Sequence, residues 1–281
     1  MKKPLIFFLF LMTGTVLNAQ LSLTNTGNLQ IHATGSVSIF GNFTNNSGAA
    51  FINNGSLYAK VNITNNQASM SAGSGTLFLN GSTQQTLSGS QIFKTYNLVT
   101  NNTAGMVLNN DLSVAATHTY TNGVITTSST PNYLVYEAGS SYAGDGDSKH
   151  VNGWVKRIGA TNFIFPVGNG VVERTIALNS LSATSEFNIK YVSSTPSTNQ
   201  MQLPLQNIDP YEYWTVNRVS GGSAVVAMNW DDSKVNFPNW ILSEITTASY
   251  NGSVWTDAGG TATGNVSTTG SISSNTVSSF N

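Results

Sequence analysis

The sequence predicts an all-β protein: an N-terminal β-solenoid, parallel β-helix-like with rungs of about 20 residues, followed by a β-sandwich. Three observations carry that prediction. Residues 35–46 (GSVSIFGNFTNN) and 55–66 (GSLYAKVNITNN) share one pattern offset by 20 positions, and a third copy (GTLFLNGSTQQT) opens at Gly75. A fixed short period marks units that bury an apolar face only by stacking on their neighbours. Only 8% of the residues are charged, against roughly 25% in ordinary globular domains. The polar surface must therefore come from Asn, Ser and Thr, which suit turns and strands better than helices. Finally, no window of ten or more residues after the leader shows convincing i, i+3, i+4 apolar spacing.

Residues 1–19 read as a secretory signal peptide. Lys2 and Lys3 form the basic start, residues 5–12 the apolar core, and Leu17-Asn18-Ala19 the cleavage site. That apolar run is far short of the ~20 residues a membrane span needs, and nothing later in the sequence is long and apolar enough to span. The expected location is therefore secreted or cell-surface. The mature chain starts near Gln20 with nine basic and twelve acidic residues.

The solenoid is expected over residues 20–136. Runs such as 28–31 (NLQI), 36–39 (SVSI) and 76–79 (TLFL) alternate polar with apolar, the period of a strand with one buried face. Asparagine pairs, Asn45-Asn46 and Asn65-Asn66 among them, punctuate the runs. Asn tolerates tight corners, and stacked copies could form amide ladders along the axis. Val37, Leu57 and Leu77 should line one interior column. Gln84-Gln85 falls near the place of the paired asparagines in the third copy. Five or six rungs are expected, the later ones irregular. Thr44 and Thr64 also repeat in register, on what is read as a solvated face.

Charge marks the boundary. From Gln20 to Tyr136 the only charged side chains are Lys60, Lys94 and Asp111, whereas residues 137–281 carry the other eleven carboxylates. The sandwich is assigned to 137–281, with longer strands joined by hairpins. Residues 151–158 and 161–165 flank a Gly159-Ala160 turn. Strands at 213–219 and 224–230 flank Gly221-Gly222, and 239–250 meets 253–257 through Asn251-Gly252, the strongest hairpin signal. Residues 193–210 read as a long surface loop.

Little in the sequence points to chemistry. Lyases and glycosidases need clustered carboxylates, and the solenoid offers Asp111 alone. His32, His118 and His150 stand apart and read as solvent-facing or structurally bonded. Cysteine is absent, which excludes disulfides and thiolate chemistry. Basic residues are sparse and unclustered, so no nucleic-acid partner is expected. Asp145 and Asp147 are the metal candidates, either on a calcium ion or simply at a turn; no other cofactor is expected. Trp154, Trp240 and Trp255 are candidate ligand-binding residues, since ring faces stack on sugars, although most strand tryptophans belong to a core. Arg174 and Arg218 are expected to be partly buried in structural roles.

Residues 149–153 (KHVNG), 155–159 (VKRIG), 163–168 (FIFPVG), 213–218 (YWTVNR) and 229–231 (NWD) together form an ordered run. It resembles a module of adhesin-like secreted surface proteins of Bacteroidetes bacteria, the substrates of type IX secretion. The Gly/Asn-rich repeats before it resemble the stretch preceding that module. The resemblance implies a non-catalytic extracellular structural or adhesin-like part of a longer polypeptide, with surface glycans or extracellular matrix as partners. It transfers no catalytic residues. Similar proteins continue past the position of Phe280 into a final strand and a C-terminal sorting domain, so the sandwich is expected to lack its last strand, and the sequence is expected to be a fragment or to differ in export and anchoring. The alternative is a carbohydrate-binding module of a larger glycan-degrading surface protein.

Overall fold

The computed structural model describes residues 21–128, 130–238 and 240–280; the expected leader lies outside them. Among the described residues all regular structure is β apart from one 3-10 turn, Leu242–Glu244. No described helix is long and apolar enough to cross a membrane.

The first half is a parallel β-solenoid of about six turns. One face is an eight-stranded parallel sheet running from Leu23–Asn25 through Phe43–Asn45 and Ile63–Asn65 to Val151–Asn152 and Val167–Gly168. A second face stacks Ser36–Ile39, Ser56–Ala59, Thr76–Leu79, Asn97–Asn101, Thr117–Asn122 and Ser141–Ala143. The third begins as Asn28–Ile31 with Ala50–Asn53 and resumes as Phe93–Thr95, Leu112–Val114, Tyr133–Tyr136 and Trp154–Gly159.

Alternation within each strand sends one set of side chains inward, and stacking aligns them into columns. Val37, Leu57 and Leu77 are in register as expected. Leu98 and His118 extend the same column. Leu57, Leu77 and Leu98 are fully buried, with Val37 packed against them. The recurrent glycine has a steric cause. A Cβ on Gly55 would lie 2.3 Å from the Gly35 carbonyl oxygen, and one on Gly75 2.3 Å from that of Gly55.

The interior is not wholly apolar. Asn25 donates to Asn45 Oδ1 at 2.9 Å, and Asn45 donates to Asn65 Oδ1 at 2.8 Å. Asn45 also donates to Gln67 Oε1, and Asn65 to the carbonyls of Gln91 and Ile92. Each amide thus answers the next, so that polar groups taken out of water remain bonded. Gln85 does not continue this ladder. Thr64 pairs with Ser88, an offset of 24 residues, so four extra residues displace Gln85 from the asparagine position. It instead caps the carbonyls of Ala59 and Val61 and accepts from Asn102.

Parallel pairing does not stop at the change in charge near residue 137. Tyr133–Tyr136 pairs with Trp154–Gly159, which then pairs antiparallel with Ser185–Val192, followed by Tyr213–Ser220. A five-stranded antiparallel sheet lies alongside, in the order Phe163–Phe165, Ile176–Asn179, Ala224–Asp231, Thr269–Val277, Thr263–Gly264. Phe187 and Ile189 of one sheet and Ile176, Leu178 and Ala224 of the other share a buried cluster continuous with the solenoid core.

Two expected hairpins are crossovers instead. Trp154–Gly159 and Phe163–Phe165 join different sheets, as do Tyr213–Ser220 and Ala224–Asp231. Gly159 turns a solenoid corner, and Gly221 (φ 107°) turns an arch between sheets. The Asn251-Gly252 hairpin forms, but only from Thr247–Tyr250 and Trp255–Gly259. The preceding residues form the 3-10 turn rather than a longer strand.

The amide ladder yields a stability prediction. Asn45→Ala leaves one Asn25 amide hydrogen without its acceptor, the Ala50 carbonyl keeping the other, and removes a donor from Asn65 and from Gln67. It should cost about 2–3 kcal/mol in chemical denaturation. Asn46→Ala, next to it on the corner, should cost far less.

Candidate functional site

Four of the five tryptophans meet around one cleft of about 900 Å³. Tyr213–Ser220 contributes Trp214 and Val216, and Ala224–Asp231 contributes Val226, Met228 and Trp230. The segment carrying Phe237, Trp240 and Ile245 and the hairpin carrying Tyr250 and Trp255 complete it, together with the loop through Leu205 and Asp209. The cleft adjoins two buried clusters: the long solenoid core, and a small one of Trp230, Ile245, Ala262 and Ile272.

The walls are fixed by hydrogen bonds. Trp214, Trp230 and Trp255 donate from Nε1 to the carbonyls of Arg174, Asn265 and Thr198, each at 2.9 Å. Trp255 also ties the loop by backbone bonds with Gln200 and Gln202. Trp230 stacks on Phe237 with centroids 4.8 Å apart, and Phe237 meets Trp240 edge-on at 5.7 Å. Trp240 Nε1 has no hydrogen-bond partner among the described residues.

Beside the cleft sits an ion pair. Arg174 donates to both oxygens of Glu212, Nε to Oε2 at 2.8 Å, with both side chains nearly inaccessible. Tyr191 donates to the same carboxylate at 2.8 Å, and Arg174 also donates to the Asn229 carbonyl. Asp209, half-sheltered in the lining, is pushed up to about 6 by burial and by the negative Glu212, against the bond from the Tyr211 amide.

The sequence-derived candidates divide. Trp240 and Trp255 line the cleft, whereas Trp154 does not. Trp154 sits on the outer face of the third sheet, edge-on to Tyr133 at 6.2 Å and beneath Lys190 Nζ at 4.9 Å. Trp214 and Trp230 join Trp240 and Trp255 in the lining, a meeting that sequence alternation does not reveal because it does not show two non-adjacent strands facing one space.

Asp145 and Asp147 lie on a turn joined to Glu173. Asp147 accepts from the Glu173 amide at 3.0 Å and from Lys234. No group of three or more candidate metal-ligating side chains is assembled among the described residues. Asp231 and Asp232 accept from backbone amides of their own turn.

Of the histidines, His32 is exposed. His118 lies between Thr100 and Tyr136 at 3.1 and 2.8 Å, and burial lowers it to about 3. His150 bonds the Gly146 carbonyl and the Gly170 amide. Arg218 bonds the carbonyls of Gly222 and Ser278. Each of these contacts is structural.

Comparison with family models, curated proteins and solved structures yields no match.

Two predictions follow from the charges. Glu212→Ala leaves Arg174 buried without its counter-ion and should cost about 3–5 kcal/mol in denaturant unfolding. Glu173 is raised from its usual 4.5 to about 8 by burial and then by the charge of Asp145. The folded chain keeps a proton there that the unfolded chain releases, so stability should fall as pH rises from about 4.5 to about 8. Glu173→Gln should reduce that loss of melting temperature, most clearly between about pH 6 and pH 8, above the range in which the raised Asp209 acts in the same direction.

Proposed function

We propose that the chain is a non-catalytic extracellular structural or adhesin-like module. The solenoid provides a stiff stalk, and the C-terminal antiparallel sheets form a β-sandwich that docks or displays. The observation that supports this best is the unbroken run of parallel pairing from Leu23 to Gly168 along one sheet. Such a stack gains rigidity from backbone hydrogen bonds and repeated apolar layers, with almost no charge. The signal-peptide pattern and the resemblance to Bacteroidetes surface proteins of the type IX route support an external location. On this reading the module belongs to a longer polypeptide, and its partners are surface glycans or matrix.

A second reading, a carbohydrate-binding module of a larger glycan-degrading protein, draws support from the aromatic cleft.

Intact cells of the source organism provide the test. The protein should be degraded by added proteinase K without lysis, and deletion of its gene should reduce attachment to glycan-coated surfaces. Protection from the protease, or release of sugar products from polysaccharides by the purified chain, would overturn the proposal.

A further inference from the structure

We propose that the cleft between the antiparallel sheets binds a neutral oligosaccharide of about two or three rings, stacked on Trp240 and Trp255. This deepens the carbohydrate-binding reading and rests on it.

The cleft's size, about 900 Å³, lies within the range of pockets that enclose compact organic ligands, roughly 300–1,000 Å³. Eight of its lining residues are aromatic, four of them tryptophan, and ring faces suit flat partners better than flexible chains. Ring faces are negative, and the C–H bonds on a sugar face are polarised positive by neighbouring oxygens, so the two attract.

The polar lining selects further. Asp209, Glu244, Asp257, Asn207 and Gln206 offer acceptor oxygens, and no lysine, arginine or histidine lines the cleft among the described residues. A fatty acid or acidic sugar would bring a carboxylate to a wall with no cation to receive it. Hydroxyl groups instead donate to those oxygens. A strongly cationic ligand is also poorly matched. Glu212 is already neutralised by Arg174, while Glu244 and Asp257 are exposed to water.

The indole nitrogens separate framework from contact. Three of the four cleft tryptophans spend their N–H on backbone carbonyls and are thereby held in place. Trp240 Nε1 meets no acceptor among the described residues, which leaves a donor on a cleft-lining side chain for a ring or hydroxyl oxygen. Trp255, locked to the loop, supplies a face that needs no reordering on binding, which lowers the entropic cost.

The test is a titration of the full chain, followed by tryptophan fluorescence and calorimetry. The probes are cellohexaose, xylohexaose, mannohexaose, laminarihexaose and chitohexaose, with palmitate as the apolar competitor. At least one hexasaccharide should bind and shift the emission. Trp240→Ala and Trp255→Ala should each weaken it about tenfold or more, Trp240→Phe should weaken it less, and Trp154→Ala should not change it. Circular dichroism of each variant checks that it is folded.

Saccharide binding that survives both cleft variants, or is lost in Trp154→Ala, would overturn the cleft assignment while leaving the carbohydrate-binding reading intact. Binding of none of the five would overturn both. Palmitate binding that is lost in Trp240→Ala, without saccharide binding, would overturn the ligand class.

Discussion

In-register parallel stacking is the constraint on which the structure depends. Once Leu57 sits over Val37 and under Leu77, every other position of the rung is committed as well. The glycine corner must stay glycine because the next carbonyl lies where a Cβ would be. An inward asparagine must be met by another amide or by a carbonyl, as Asn45 is met on both sides. The stack therefore tolerates change on its outer face far more readily than within its columns.

That constraint also carries polar residues into the core where the columns change character. His118 continues the column of Leu77 and Leu98. It remains neutral because Thr100 and Tyr136 satisfy its ring nitrogens while burial disfavours the charge. Arg157, almost fully buried, donates from Nη1 to the carbonyls of Glu137 and Ser140, while its Nε meets no partner among the described residues. Farther on, Arg174 and Glu212 tie the loop before Tyr213–Ser220 to the antiparallel sheets. These bonds position groups that would be costly to bury alone, and in doing so they fix the walls beside the cleft.

Much of the solenoid was legible because stacking writes itself into sequence as a period. Gly35, Gly55 and Gly75 repeat for a steric reason, and the alternation of residues 36–39 and 76–79 gives their strands directly. The inserted residues before Ser88 hid the shift that places Gln85 outside the asparagine ladder. The rise in charge near residue 137 was legible too, but it does not mark where parallel pairing ends. Lys156 and Glu186 pair on the sheet's outer face at 2.7 Å, while Val155 and Ile189 keep the interior apolar. Charge thus changes the surface of the stack without changing its core. The cleft was only half legible. Trp240 and Trp255 were visible as aromatics, but their meeting with Trp214 and Trp230 depends on strands far apart in sequence. Gly159 and Gly221 looked like hairpin turns, because a corner and a hairpin need the same local backbone freedom.

Spin-label distances measure the stacking most directly, and the absence of cysteine gives a clean background for labelling. Thr44 and Thr64 are in register on adjacent strands, and Thr24 and Ser88 lie at the two ends of the same outward column. Nitroxides at Thr44→Cys and Thr64→Cys should sit one strand spacing apart, about 4.8 Å between backbones, and show strong dipolar broadening. The Thr24→Cys and Ser88→Cys pair should report about three spacings, near 14 Å, with much weaker broadening. Equal, weak broadening in both pairs would contradict the stacked architecture.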